Sequence, residues 1–188
     1  LIVAFKFFNC SSFNLVFSNQ FYIRLNDFRS FINDRDDMQN LIDLSCIKNL
    51  YDFGFSDPTI VDVESLEQNQ ILIYLNKSTN DTPKKIVINL FDMNKISYLM
   101  LKDLKLERLT RRMLFHMKKL ENFQMERIKI KSVDSNLFDS VENLNSLTIH
   151  DGSFEAISIL KLNETKCDFL VSLELESNGI KYLDQQSF

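Results

Sequence analysis

Apolar residues in the second half of the chain fall on a beat that neither a helix nor a plain strand keeps. From Leu170 the run is LVSLELESNGIKYLDQQSF, with apolar positions at Leu170, Leu173, Leu175, Ile180, Leu183 and Phe188 and a polar Asn178 among them. The same beat opens at Ile96 (ISYLMLKDLKLERL), at Leu120 (LENFQMERIKIKSV) and at Leu144 (LNSLTIHDGSFEAI), so successive starts are 24, 24 and 26 residues apart. A helical period of 3.6 would drift out of this pattern. Its centre alternates with period two, as a short strand does when every second side chain turns inward. Self-similarity at such a period marks units that cannot bury their own apolar side chains and do so by stacking. The register predicts that Leu99, Leu101, Phe123, Met125, Leu147, Ile149, Leu173 and Leu175 are inward residues of adjacent parallel strands.

Four units in register resemble the leucine-rich repeat, LxxLxLxxNxLxxLxxxxFxxLxx. The resemblance implies an α/β leucine-rich repeat solenoid, with short parallel strands on a concave side, irregular or short helical convex returns and an N-terminal cap region. In that family an asparagine amide at the ninth position bonds the turn backbone. Only the last unit has it, as Asn178; the others carry Leu104, Ile128 and Gly152, which predicts looser or water-bonded turns there. The longer third unit predicts a bulge over Lys161–Asp168.

Upstream the beat dissolves. LIDLSCIKNLYDF, from Leu41, fits it once without a supporting neighbour and reads as coincidence or as a degenerate repeat. QILIYL (Gln70–Leu75) and KKIVINL (Lys84–Leu90) alternate around a polar loop and read as a hairpin or cap. Leu25, Phe28 and Ile32 are spaced for a helix over Phe21–Ile32. The organisation read from the sequence is a signal-peptide remnant or apolar segment at 1–18, a cap region at 19–95 and four repeats at 96–188. The pattern stops within the fourth repeat, which predicts a fragment of a longer protein.

Composition narrows the function. The chain has 188 residues, 45% of them hydrophobic, so one sizeable core is expected and disorder is not. A net charge of −4 argues against nucleic acid as the partner. Only 3 glycines occur, and no phosphate-cradling glycine motif is present. Cys10, Cys46 and Cys167 lack the spacing of a zinc site, so neither metal nor cofactor is predicted. No 18 consecutive residues are apolar, so no membrane span is predicted in this stretch. Sequons at Asn76, Asn80 and Asn163, the first two sharing one polar loop, predict glycosylation in an extracellular or cell-surface setting.

Candidate chemistry is sparse. His150 beside Asp151 invites a catalytic reading, yet no Ser or Cys nucleophile is predicted next to it, and His116 and His150 read as exposed face residues of a non-enzyme. The basic run Arg108–Lys119 reads as a solvated return. The outward positions of the strands form columns: Tyr98, Asn122, Ser146 and Ser172; Met100, Gln124, Thr148 and Glu174; Lys102, Glu126, His150 and Glu176; and just beyond, Asp103, Arg127, Asp151 and Ser177. The partner-binding set predicted on the concave face is Tyr98, Met100, Lys102, Asn122, Gln124, Glu126, Arg127, Thr148, His150, Glu174 and Glu176. Such a polar surface with one aromatic suits a protein ligand. By resemblance, the chain is expected to be a non-catalytic recognition module of a secreted or cell-surface protein of innate-immune or adhesion type. A Toll-like receptor ectodomain and an intracellular scaffold or adaptor are the alternatives, with homo- and hetero-oligomers both open.

Overall fold

The computed structural model describes residues 21–26, 40–45, 50–75, 84–134, 136–153 and 170–179. Among these residues twelve strands are described: β1 (Phe21–Asn26), β2 (Asn40–Leu44), β3 (Leu50–Ser56), β4 (Ile60–Glu67), β5 (Gln70–Leu75), β6 (Lys84–Leu90), β7 (Tyr98–Lys102), β8 (Lys105–Leu109), β9 (Asn122–Glu126), β10 (Lys129–Val133), β11 (Ser146–His150) and β12 (Ser172–Glu176). They form three sheets: a parallel one in the order β1-β3-β7-β9-β11-β12, a four-stranded mixed one in the order β2-β6-β5-β4, and the parallel pair β8-β10.

This corrects the expected fold class. The described residues are mostly strand, not an α/β leucine-rich repeat solenoid with helical returns. Among the described residues, helix is confined to one turn, α1 (Arg111–Leu114), and a 3-10 turn at Met93–Lys95. The reason lies in the returns. Leu106 and Leu109, like Ile130 and Val133, are three residues apart, a spacing that one face of a helix also uses. Here both segments are extended, because each finds a partner one unit away: Lys105 aligns with Lys129, and Leu109 with Val133. Pairing across units satisfies the backbone, and three β-branched residues at Ile128, Ile130 and Val133 favour the extended form.

The strand register is the one the beat dictates. Leu99, Phe123, Leu147 and Leu173 are aligned across four strands, and so are Leu101, Met125, Ile149 and Leu175. Leu99, Leu101, Phe123, Met125, Leu147 and Ile149 are at most 1% exposed; Leu173 and Leu175 are half-buried against the same core. Two strands from before residue 96 join this sheet. Phe53 and Phe55 of β3 align with Leu99 and Leu101, and Ile23 and Leu25 of β1 align with Phe53 and Phe55. The helix expected over Phe21–Ile32 is therefore a strand through Asn26; the remainder of that span lies outside the described residues. The hairpin expected at Gln70–Leu90 is present as β5 against β6. Leu41 sits in β2, which pairs with β6 and not with the six-stranded sheet. β4 lies against β8 and α1, so Ile60, Val63, Ile71, Ile73, Ile86 and Ile88 share one core with the stacked units.

At the end of each stacked strand the chain turns a corner through a left-handed residue: Asp103 (φ 56°), Arg127 (φ 49°), Asp151 (φ 51°) and Ser177 (φ 54°). Each of the first three donates its N–H to the next strand, from Asp103 to Glu126, Arg127 to His150 and Asp151 to Glu176, at 2.9–3.0 Å. Left-handed backbone is tolerated by Asp and costs a long side chain on the order of 1 kcal/mol. Beyond the corner, the turns are not loosened by Leu104 and Ile128. Lys129 N–H bonds the Leu104 carbonyl at 3.0 Å and Ser153 N–H bonds the Ile128 carbonyl at 3.1 Å. Asn178 acts differently: its buried side chain accepts from Gly152 N–H and donates to the Ile149 carbonyl, both at 2.7 Å. Asn178→Leu should leave the buried Gly152 N–H without an acceptor. It should cost about 1–3 kcal/mol, read as a lower urea midpoint with an unchanged denaturant slope.

Candidate functional site

Inward leucines force the intervening residues of β7, β9, β11 and β12 onto the face away from the core. Among the described residues this face presents three rows: Asp52, Tyr98, Asn122, Ser146 and Ser172; Gly54, Met100, Gln124, Thr148 and Glu174; Ser56, Lys102, Glu126, His150 and Glu176. On β7, β9 and β11 every one of these side chains is half-buried, while those of β12 are exposed. All eleven predicted binding positions are therefore placed: ten on the face and Arg127 at the corner beside it. His116 is not there. It follows α1 and meets Phe115 edge-on, with ring centroids 5.0 Å apart. The sequons Asn76, Asn80 and Asn163, and the bulge expected over Lys161–Asp168, lie outside the described residues.

Neighbouring strands are tied by side-chain contacts. The Tyr98 hydroxyl donates to Gln124 Oε1. Lys102 Nζ pairs with Glu126 Oε2 at 2.9 Å. Arg127 bonds both oxygens of Asp103, through Nε at 2.7 Å and Nη2 at 2.9 Å, and reaches Glu126 with Nη1. Ser56 Oγ adds a bond to Asp103 at 3.2 Å. Together, the Arg127 fork first, then its charge, the Ser56 hydroxyl and Lys102, hold the Asp103 carboxyl below its ordinary pKa, and the same pairing raises that of Arg127. The corner column thus braces the face. Its residues are not further members of it, because the left-handed turn takes them out of the strand alternation.

At the β11–β12 end, His150 Nε2 lies 3.5 Å from Glu174 Oε1 and 3.7 Å from Glu176 Oε2. These three side chains are the ones among the described residues whose donor atoms converge closely enough to hold a metal ion. The spacing sets His150 and Glu176 in one column and Glu174 in the next, but as partner-binding positions; that their donor atoms converge follows from the alignment of strands from different units. The His150–Asp151 pair seen in the sequence does not form this group, since Asp151 is the exposed corner residue. Beside the corner, Ser56, Pro58, Asp103, Leu104, Lys105, Arg127 and Lys129 line an open groove of about 410 Å³. No helix among the described residues is long and apolar enough to cross a membrane. No family model, curated protein or solved structure matches the chain.

The Asp103–Arg127 brace has a pH signature. A carboxyl whose folded pKa is depressed contributes stability above its unfolded value, about 3.9, and loses that contribution as pH falls through the folded value. Asp103→Asn keeps a residue type that tolerates the left-handed corner. The variant should be less stable than the parent at pH 7, and the gap should close below about pH 4, as read by thermal melts across that range.

Proposed function

We propose that this chain is a non-catalytic protein-recognition module and that its partner docks on the outward face of the six-stranded sheet. The observation that carries this reading is the bracing of the face. Tyr98 on Gln124, Lys102 on Glu126 and Arg127 on Asp103 and Glu126 hold side chains of adjacent strands in fixed positions before any partner arrives. Side chains already ordered lose less freedom on binding. Tyr98, Met100 and Arg127 are of the types that dominate interface energetics, and they cluster toward β7 and β9. Charge differs along the face: Lys102 and Glu126 balance each other in mid-sheet, whereas Glu174 and Glu176 leave β12 acidic. A partner can therefore be oriented as well as held.

Met100 and Thr148 occupy the central row, half-buried on β7 and β11. A Met100→Arg/Thr148→Arg variant puts two large cations there without touching the core. A partner identified by affinity capture with the parent chain should bind this variant at least about 10-fold more weakly, a loss of about 1.4 kcal/mol. It should bind Lys118→Glu/Lys119→Glu, altered on the exposed return after α1, at parental strength. The reverse result moves the site to the basic return.

We place the module outside the cell or at its surface, on the strength of the sequons at Asn76, Asn80 and Asn163. Peptide-N-glycosidase should lower the apparent mass of the protein isolated from its native source; an unchanged mass removes that placement.

A further inference from the structure

We propose that His150, Glu174 and Glu176 bind one divalent cation of the zinc class on the outward face, where β11 meets β12. The site is independent of the partner-docking reading. Parallel register sets Glu176 directly opposite His150 and Glu174 two residues earlier on the same face. The three donor atoms lie within 4.8 Å of one another, and the two distances from the imidazole nitrogen are 3.5 and 3.7 Å. An ion bound tetrahedrally at about 2.0–2.1 Å requires ligand atoms roughly 3.3–3.5 Å apart. The fit needs only small rotations of Glu174 and Glu176, whose side chains are 59% and 68% exposed and free to turn.

Two further features point to a cation. His150 Nε2 is shielded from solvent and makes no hydrogen bond, although it faces two carboxylate oxygens. The His150 side chain is 28% exposed, but its Nε2 is closed to solvent and beyond close hydrogen-bond reach of either carboxylate, and a metal ion is a partner that an imidazole and two carboxylates can share. The cations nearest in the rows are already engaged, Lys102 with Glu126 and Arg127 with Asp103 and Glu126. One imidazole with two carboxylates is a borderline donor set, suited to zinc-type ions over magnesium or calcium. Three protein ligands leave a fourth position for water or for a donor brought by a partner.

The competing account is a plain ion pair between protonated His150 and the two glutamates, with no metal affinity. Calorimetric titration of the full chain with Zn²⁺, and with Co²⁺ as an optical probe of direct coordination, separates the two. The parent should take up an ion that His150→Gln binds at least about 10-fold more weakly, since even residues that merely orient a metal ligand cost 10–100-fold when changed. Glu174→Gln/Glu176→Gln, altered at two exposed positions, should show the same loss with an unchanged far-ultraviolet circular dichroism spectrum. The visible Co²⁺ bands of the parent should be absent in both variants. Equal affinity and stoichiometry in the parent and both variants overturns the site, and so does a parent that takes up no ion.

Discussion

Alignment of β9, β11 and β12 each with a strand 24 to 26 residues earlier is the condition from which the other features of the stacked units follow. A parallel strand cannot reach its neighbour through a tight turn, so the chain must leave the sheet, cross the core and return one strand spacing further on. Every backbone group on that path needs a partner. The corners meet the need by left-handed residues whose N–H groups continue the ladder. The returns of two units meet it by pairing with each other as β8 and β10. Once those bonds are made, the inward side chains of successive units fall in line, and the outward ones form rows.

The same condition explains the makeup of the core. Leu99 to Leu173 and Leu101 to Leu175 are filled by aliphatic, aromatic and thioether side chains without loss of register. Phe123 meets Phe138 edge-on at 6.2 Å within one unit, and Phe53 meets Phe55 at 5.0 Å in β3. The mixed sheet adds its Ile-rich face to the same core, so the stack and the hairpins are cohesive through burial and not only through hydrogen bonds.

What could be read in advance follows from these terms. Strands β7, β9, β11 and β12 were legible because alternation and period agree at every inward position. β3 carries the same beat as Leu50, Phe53 and Phe55, and β1 carries it in Ile23 and Leu25, but phenylalanine in place of leucine and irregular spacing obscured it. At Leu25, Phe28 and Ile32 helical spacing competed with strand alternation, and the ladder to β3 decided for the strand through Asn26. The extended returns were hidden because a spacing of three is ambiguous until a neighbour with the same spacing lies alongside. The face rows were legible from alternation alone. The corner column was legible as a fourth set of positions but its left-handed backbone was not, and His150, Glu174 and Glu176 were legible as outward neighbours but not as a converging donor set.

The mixed sheet interrupts the stack between β3 and β7, so Asp52 aligns with Tyr98 across 46 residues while Tyr98 aligns with Asn122 across 24. The entropy of closing a loop rises only with the logarithm of its length, about 0.6 kcal/mol per doubling. The insertion therefore burdens equilibrium stability little. Its weight falls on the order of assembly. β7, β9 and β11 can close over short spans, whereas β3 must wait for β4, β5 and β6 to fold the intervening chain back. Shorter closures thus favour pairing among the uninterrupted units ahead of β3, an order that folding kinetics of variants in β3 and β9 would test.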